Sequence, residues 1–213
     1  MSRFPDVQFL ISAAAAAQFP PDDGAEVAFA GRSNAGKSSA INAIVQRRAL
    51  ARTSKAPGRT RLLNFFEVMA HGRIVDLPGY GYASAPESER RTWAPLIDAL
   101  RARQALSGLF LIVDARRGIS ASDQGLIAWA NPGERAVHVL LSKADKLTRN
   151  EGARALQAAR AEVSAHVSVQ LFSAHASTGL AEAQGKLEEW LANKKTPAIS
   201  TRSPGQTNPA QVS

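Results

Sequence analysis

Eight residues, Gly31-Arg-Ser-Asn-Ala-Gly-Lys-Ser38, constrain this chain more than any other feature. They fit the pattern G-x-x-x-x-G-K-[ST], and their flanks agree with it. A short apolar run, Glu26-Val-Ala-Phe-Ala30, leads straight into the loop, and residues 38–46 continue at helical spacing. A strand, a glycine loop and a helix in that order make a phosphate cradle. The glycines let backbone N–H groups turn inward around phosphate oxygens, and the helix N-terminus adds its positive dipole. Lys37 has the length to reach β- and γ-phosphates, and the Ser38 hydroxyl suits Mg²⁺.

The rest of the chain alternates in the same way. Strands are expected at 62–69, 73–76, 109–113, 136–141 and 167–172; the runs at 109–113 and 136–141 are continuously apolar, the mark of strands buried on both faces. Helical spacing lies between them, at about 87–104 with Pro95 predicting a kink or a late start, at 122–130, at 150–164, and finally through Leu180, Leu187, Trp190 and Leu191. Only the link near Ala70-His71-Gly72 is short enough for an antiparallel hairpin. The expected fold is α/β: a six-stranded, mostly parallel sheet with one antiparallel strand, flanked by about five helices.

The 213 residues suit one domain with trimmings. Residues 1–24 read as a loosely structured lead-in, 25–193 as the domain, and 194–213, where apolar spacing stops, as a disordered tail. The apolar run Phe9 to Ala17 is too short to span a bilayer; Pro5 and Asp6 interrupt a signal-peptide pattern, so a short packed helix is expected. There is no cysteine, which excludes disulfides and cysteine-held metal sites. Twenty-six Lys and Arg against eighteen Asp and Glu leave a net charge of +8, favouring polyanionic partners.

Further motifs fall at the ends of the expected strands. Asp76-Leu77-Pro78-Gly79 is ordinary turn chemistry alone. Downstream of a phosphate loop, Asp76 suits Mg²⁺ held through water and the Gly79 N–H suits a γ-phosphate. Tyr80 follows, where Ras-like proteins place a water-orienting side chain. Ser142-Lys143-Ala144-Asp145 reads either as a solvated loop or as a base site. In the second reading Asp145 accepts from the N1–H and exocyclic amine of guanine, a donor pair adenine lacks, and Lys143 lies along the base. Ser173-Ala174 then sits where backbone N–H groups meet the guanine carbonyl. Arg47, Arg48, Arg52, Lys55, Arg59 and Arg61 occur with no acidic residue between them, as a solvated loop or an RNA contact. Thr53 and Thr60 are both candidate Mg²⁺ ligands, with position favouring Thr60. The four histidines lack metal-like spacing and read as structural.

Together these residues resemble the bacterial EngB family. The resemblance rests on residues 27–38, Ser54-Lys-Ala-Pro-Gly-Arg-Thr60, Asn64-Phe-Phe66, Asp76-Leu-Pro-Gly-Tyr-Gly-Tyr82, and Asp114, Arg116 and Asp123. It covers about residues 5–192. It implies a Ras-like GTPase domain that binds GTP or GDP with Mg²⁺. The implied nucleotide-binding residues are Gly31, Arg32, Ser33, Asn34, Ala35, Gly36, Lys37, Ser38, Ser39, Gly58, Arg59, Thr60, Asp76, Gly79, Ser142, Lys143, Asp145, Ser173 and Ala174. Lys37, Thr60 and Gly79 are implied in catalysis, and Ser38 and Thr60 as Mg²⁺ ligands. The resemblance also implies a cytoplasmic, monomeric switch without a membrane span. Its implied partner is the large ribosomal subunit or its precursor (ribosomal RNA and proteins), and its implied role extends to cell division and septation. Two positions depart from the family: Ser142 stands for Thr or Asn, and Arg61 for Gln. With no glutamine at position 80, slow intrinsic GTP hydrolysis, raised by the ribosome, is expected. An ATP-using enzyme, or an RNA-binding or division scaffold with a structural nucleotide site, remains as the alternative.

Overall fold

The computed structural model describes residues 3–51, 62–80, 95–130 and 135–192. Among these residues seven strands form one sheet: β1 Gln8–Ala13, β2 Ala25–Gly31, β3 Leu63–Met69, β4 Gly72–Asp76, β5 Leu106–Asp114, β6 Ala136–Ser142 and β7 Val167–Leu171. Their order is β1-β3-β4-β2-β5-β6-β7. β3 runs antiparallel to both of its neighbours, while β4, β2, β5, β6 and β7 pair in parallel. One strand therefore opposes the rest, as the short link at 70–72 predicts.

The helices are α1 Lys37–Ile44, α2 with helical residues 95–101, α3 Ala121–Ala130, α4 Arg149–Ala161 and α5 Leu180–Ala192. Residues 87–94, where the second helix was expected to begin, lie outside the described residues, as does the proposed tail at 194–213. The period-two alternation of β2 divides the core. Val27 and Phe29 face α1 and α5, packing with Ile41, Ile44, Leu187, Trp190 and Leu191. Ala28 and Ala30 share the opposite cluster with Leu96, Ile97 and Leu100 of α2, Leu126 and Ile127 of α3 and Ala159 of α4. β2 is buried along its whole length, which fixes the loop that follows it on both sides.

Two expectations need correction. Among the described residues the sheet has seven strands rather than six, because Gln8–Ala13 forms an edge strand instead of a short helix. Its register slips between Phe9 and Ile11, and Phe9 and Leu10 are both left exposed, so no clean alternation marks it. Nor are the described residues of the lead-in loose. The carbonyls of Pro20 and Pro21 accept from Arg103, and that of Pro21 also from Arg73. The Asp22 carboxylate caps the N–H groups of Gln104 and Ala105 at 3.0 and 2.9 Å.

At the centre of that network stands Glu26, fully buried at the start of β2. Its two oxygens accept from Arg73 Nε at 3.0 Å and from Arg103 Nε at 2.6 Å and Nη2 at 2.8 Å. Two guanidinium groups with the Pro20–Pro21 carbonyls tie the start of β2 to β4 and to the chain after α2. His138, also buried, joins β6 to β7 through Ser168 and Gln170; burial pushes its pKa down to about 4, so the ring is neutral at pH 7. That agrees with its structural reading.

Replacing Glu26 by Gln removes the buried counter-charge that the two guanidinium groups share, leaving Arg73 the half-exposed Asp23 at 2.8 Å and Arg103 only Asp22 at 3.9 Å. Urea unfolding at pH 7 is expected to show a loss of about 3–5 kcal/mol. A loss below about 1 kcal/mol would show that the two arginines find other partners.

Candidate functional site

The loop between β2 and α1 is shaped by two left-handed residues, Asn34 at φ +65° and Gly36 at φ +100°. The second value is one that side chains rarely adopt, so glycine is needed there. Gly36 is also the N-cap of α1, accepting from the Ala40 N–H at 2.9 Å. Within the loop, the Ala35 N–H donates to the Arg32 carbonyl at 2.9 Å. Ser38 and Ser39 follow in the first turn of α1.

β4 lies beside β2 with Asp76 in register with Phe29, which delivers Asp76 to the loop. Its carboxylate pairs with the Lys37 ammonium; the two side chains are 7% and 11% exposed. The chain then runs along the loop instead of turning away. The Leu77 N–H donates to Phe29, the Tyr80 N–H to Gly31, and the Ser33 N–H to the Tyr80 carbonyl at 2.9 Å. Gly79 lies so close to Ser33 that an added Cβ would stand 3.3 Å from its Cα.

Tyr80 is buried, and its hydroxyl donates to the Asp123 carboxylate. The other Asp123 oxygen accepts the Ser120 N–H at 2.7 Å and the Ser120 hydroxyl at 2.5 Å. Burial, then Asp123 itself, raises the Tyr80 pKa far above the ordinary range, so the phenol remains a donor. This side chain anchors its segment to α3.

The other wall comes from the ends of β6 and β7. Ser142, buried at the end of β6, donates its hydroxyl proton to the Ala35 carbonyl at 2.5 Å, with the Val113 carbonyl 3.1 Å away. Lys143, at φ +59°, donates to the Asn34 carbonyl at 2.6 Å and to Asp114 at 3.0 Å. Asp145 accepts from the Ser173 hydroxyl at 2.6 Å, and that hydroxyl in turn accepts the Ala176 N–H at 3.0 Å. The Ser173 bond, with Lys146 nearby, holds the Asp145 carboxyl below its usual pKa, so it is ionised at neutral pH.

Between these walls lies an open cavity of about 800 Å³, reaching from Gly36 and Ser39 to Lys143, Asp145 and Ala174. That volume is in the range of small-molecule sites. The structure thus brings together Gly31 to Ser39, Asp76, Gly79, Ser142, Lys143, Asp145, Ser173 and Ala174. Gly58, Arg59 and Thr60, with Thr53, lie outside the described residues. Asn42, Gln46, Arg47, Arg48, Lys146 and His175 also line the cavity. Sequence reading placed Arg47 and Arg48 only in a basic segment and His175 only among structural histidines. No local pattern signals their convergence, which arises from the end of α1 facing the turn after β7.

Comparison with known proteins gives a consistent picture. The family described as "50S ribosome-binding GTPase" matches residues 26–143. A protein of Aromatoleum aromaticum described as "Probable GTP-binding protein EngB" is 48% identical over 207 residues, covering 94% of this chain and 96% of its own length. One from Coxiella burnetii with the same description is 44% identical over 195 residues, covering 90% and 95%. Among solved structures, the "Crystal structure of a probable GTP-binding protein engB" aligns with a TM-score of 0.56 at 23% identity, over 79% of this chain and 99% of that one. Era from Aquifex aeolicus, bound to GDP and AlF4⁻, aligns with a TM-score of 0.58 at 18% identity, over 78% and 56%. These two likenesses show the shared fold.

Removing the Ser142 hydroxyl leaves the Ala35 carbonyl without its donor. Ser142→Ala is expected to cost about 1–3 kcal/mol in urea unfolding. An unchanged midpoint would show that the loop does not depend on this bond.

Proposed function

This chain belongs to the EngB family of GTP-binding proteins, and on that footing we propose that it binds GTP and GDP with Mg²⁺ in this cavity. It acts as a slow GTPase, a nucleotide-dependent switch in assembly of the large ribosomal subunit. The observation that carries the reading is the ionised Asp145, fixed by Ser173 on the wall facing the phosphate loop. A fixed carboxylate there matches the paired N–H donors of guanine. A base without those donors leaves it unsatisfied, which supports a large discrimination against adenine.

The phosphates lie along Gly31 to Ser39, with the loop N–H groups and the α1 N-terminus toward them and Lys37 on the β- and γ-oxygens. Lys37, the Gly79 N–H and Thr60 stabilise charge that develops on the transferred phosphoryl group. Ser38 and Thr60 would hold Mg²⁺, with Asp76 acting through water. Their hydroxyl and carboxylate oxygens suit a hard cation that takes few protein ligands and keeps several waters. Among the described residues no cluster of three or more His, Cys, Asp or Glu could cage a metal, which fits an ion held largely by phosphate. Magnesium supplies neutralisation of phosphate charge. Because the Tyr80 hydroxyl is engaged by Asp123, no side chain at position 80 orients the attacking water, which supports slow intrinsic turnover raised by the ribosome.

The ribosomal role is supported by the family description and by the net charge of +8, which favours a polyanionic partner. No helix among the described residues is long and apolar enough to cross a membrane. A cytoplasmic monomer needed for normal division and septation completes the proposal.

Binding of GTP, GDP and ATP with Mg²⁺ tests the reading directly. The wild-type chain is expected to prefer guanine nucleotides by at least about 100-fold, and Asp145→Asn to abolish most of that preference. Equal affinity for ATP and GTP, or a preference untouched by Asp145→Asn, would overturn it in favour of an ATP-using enzyme or a scaffold.

A further inference from the structure

Asp114 ends β5, in register with Ser142 of β6, and is nearly fully buried. Arg116, two residues on, grips its carboxylate from the solvent side. The Arg116 backbone N–H and Nε donate to Oδ1 at 3.1 and 3.0 Å, and Nη2 donates to Oδ2 at 2.7 Å. With the carboxylate oriented by three bonds, Oδ2 also accepts from the Lys143 ammonium at 3.0 Å. Lys143 in turn reaches the Asn34 carbonyl of the phosphate loop at 2.6 Å. Its stem lies over the loop, since a Cβ placed on Gly36 would stand 3.9 Å from the Lys143 Cε.

A lysine is a point charge on a flexible four-carbon stem, and by itself it does not hold one geometry. One carbonyl partner gives it direction at a single point. A second, anionic partner that is itself fixed gives it a place. Arg116 first, and Lys143 after it, keep the Asp114 carboxyl far below the usual range, so it is an anion at neutral pH.

We propose that Asp114 is a positioning residue for nucleotide binding: its carboxylate, oriented by Arg116, holds the Lys143 ammonium against the phosphate loop and its stem along the cavity wall. The inference rests on the reading of this cavity as a guanine-nucleotide site. Asp114 touches no nucleotide in this scheme and acts through Lys143. In Asp114→Asn the oxygen acceptor is kept in shape but the charge is lost. The ammonium then has one firm partner and solvent, and the stem leaves the wall for part of the time.

Two measurements on the full-length chain separate this from a purely structural role. The first is the rate at which the Lys143 amine is acylated without nucleotide, read by mass spectrometry; Asp114→Asn is expected to raise it several-fold. The second is affinity for GDP and ADP in wild type, Asp114→Asn, Lys143→Met and the double variant. Asp114→Asn is expected to weaken GDP binding about tenfold, in keeping with loss of a hydrogen bond between charged partners. On a Lys143→Met background the same change is expected to cost almost nothing further. A loss that persists undiminished without Lys143 would overturn the proposal, as would unchanged GDP affinity in Asp114→Asn; both leave the guanine reading intact. A wild-type chain that does not prefer GDP over ADP overturns that reading and the proposal with it. Should Asp114→Asn fail to fold, Arg116→Ala at a half-exposed side chain carries the same test, with about a threefold loss of GDP affinity expected. Unchanged affinity there overturns the proposal.

Discussion

A loop that turns its N–H groups inward must point carbonyls elsewhere, and buried carbonyls need donors. The loop after β2 meets this constraint with partners from the surrounding elements. The Gly31 carbonyl accepts from the Tyr80 N–H, that of Arg32 from Ala35, that of Asn34 from Lys143 and that of Ala35 from Ser142. Three of those four donors come from segments following β4 and β6, or from the end of β6 itself. The same contacts that hold the loop therefore bring Ser142 and Lys143 to its edge. The family departure at Ser142 retains the part that matters for this bond, its hydroxyl.

The sheet makes such convergence repeatable. β2, β4, β5, β6 and β7 run in parallel, so Gly31, Asp76, Asp114, Ser142 and Ser173 emerge at or just beyond one edge. At the opposite end of β2, Glu26 with Arg73 and Arg103 fixes where that strand starts. Such a network is poor evidence of net stabilisation against an apolar alternative. Its effect here is to hold the start of β2 against β4 and the chain after α2, leaving the other end to chemistry. On the other edge the charges are placed differently: Asp145 lines the cavity with the Ser173 hydroxyl on one oxygen and the exposed Lys146 ammonium 3.4 Å from the other, whereas Asp114 and Asp123 are buried among their partners.

Much of this was legible in the sequence because local period and loop chemistry agree. The described strands from β2 to β7 and helices α1, α3, α4 and α5 fall within a few residues of their expected ranges, and the glycine loop lies between a strand and a helix as its pattern predicts. What was not legible depends on distant partners. Glu26 sits in an apolar run, and its arginines lie 47 and 77 positions away. β1 was hidden by its bulge and by exposure of both Phe9 and Leu10, so neither a two- nor a 3.6-residue period marks it. Tyr80 was visible as a departure from a glutamine position, yet its burial against Asp123 needed the fold. The convergence of Arg47, Arg48 and His175 on the cavity belongs to the same class.

The central claim is that one edge of this sheet forms a single guanine-nucleotide site, with the phosphate loop and the Asp145 wall acting together. Backbone amide hydrogen exchange, with and without GDP and Mg²⁺, tests it most directly. GDP is expected to slow exchange together at residues 33–39, 143–146 and 173–176, and to leave β1 unchanged, while ADP protects the base-side segments little. Protection confined to the loop, or equal protection of all three segments by ADP, would contradict the claim that these walls form one guanine site.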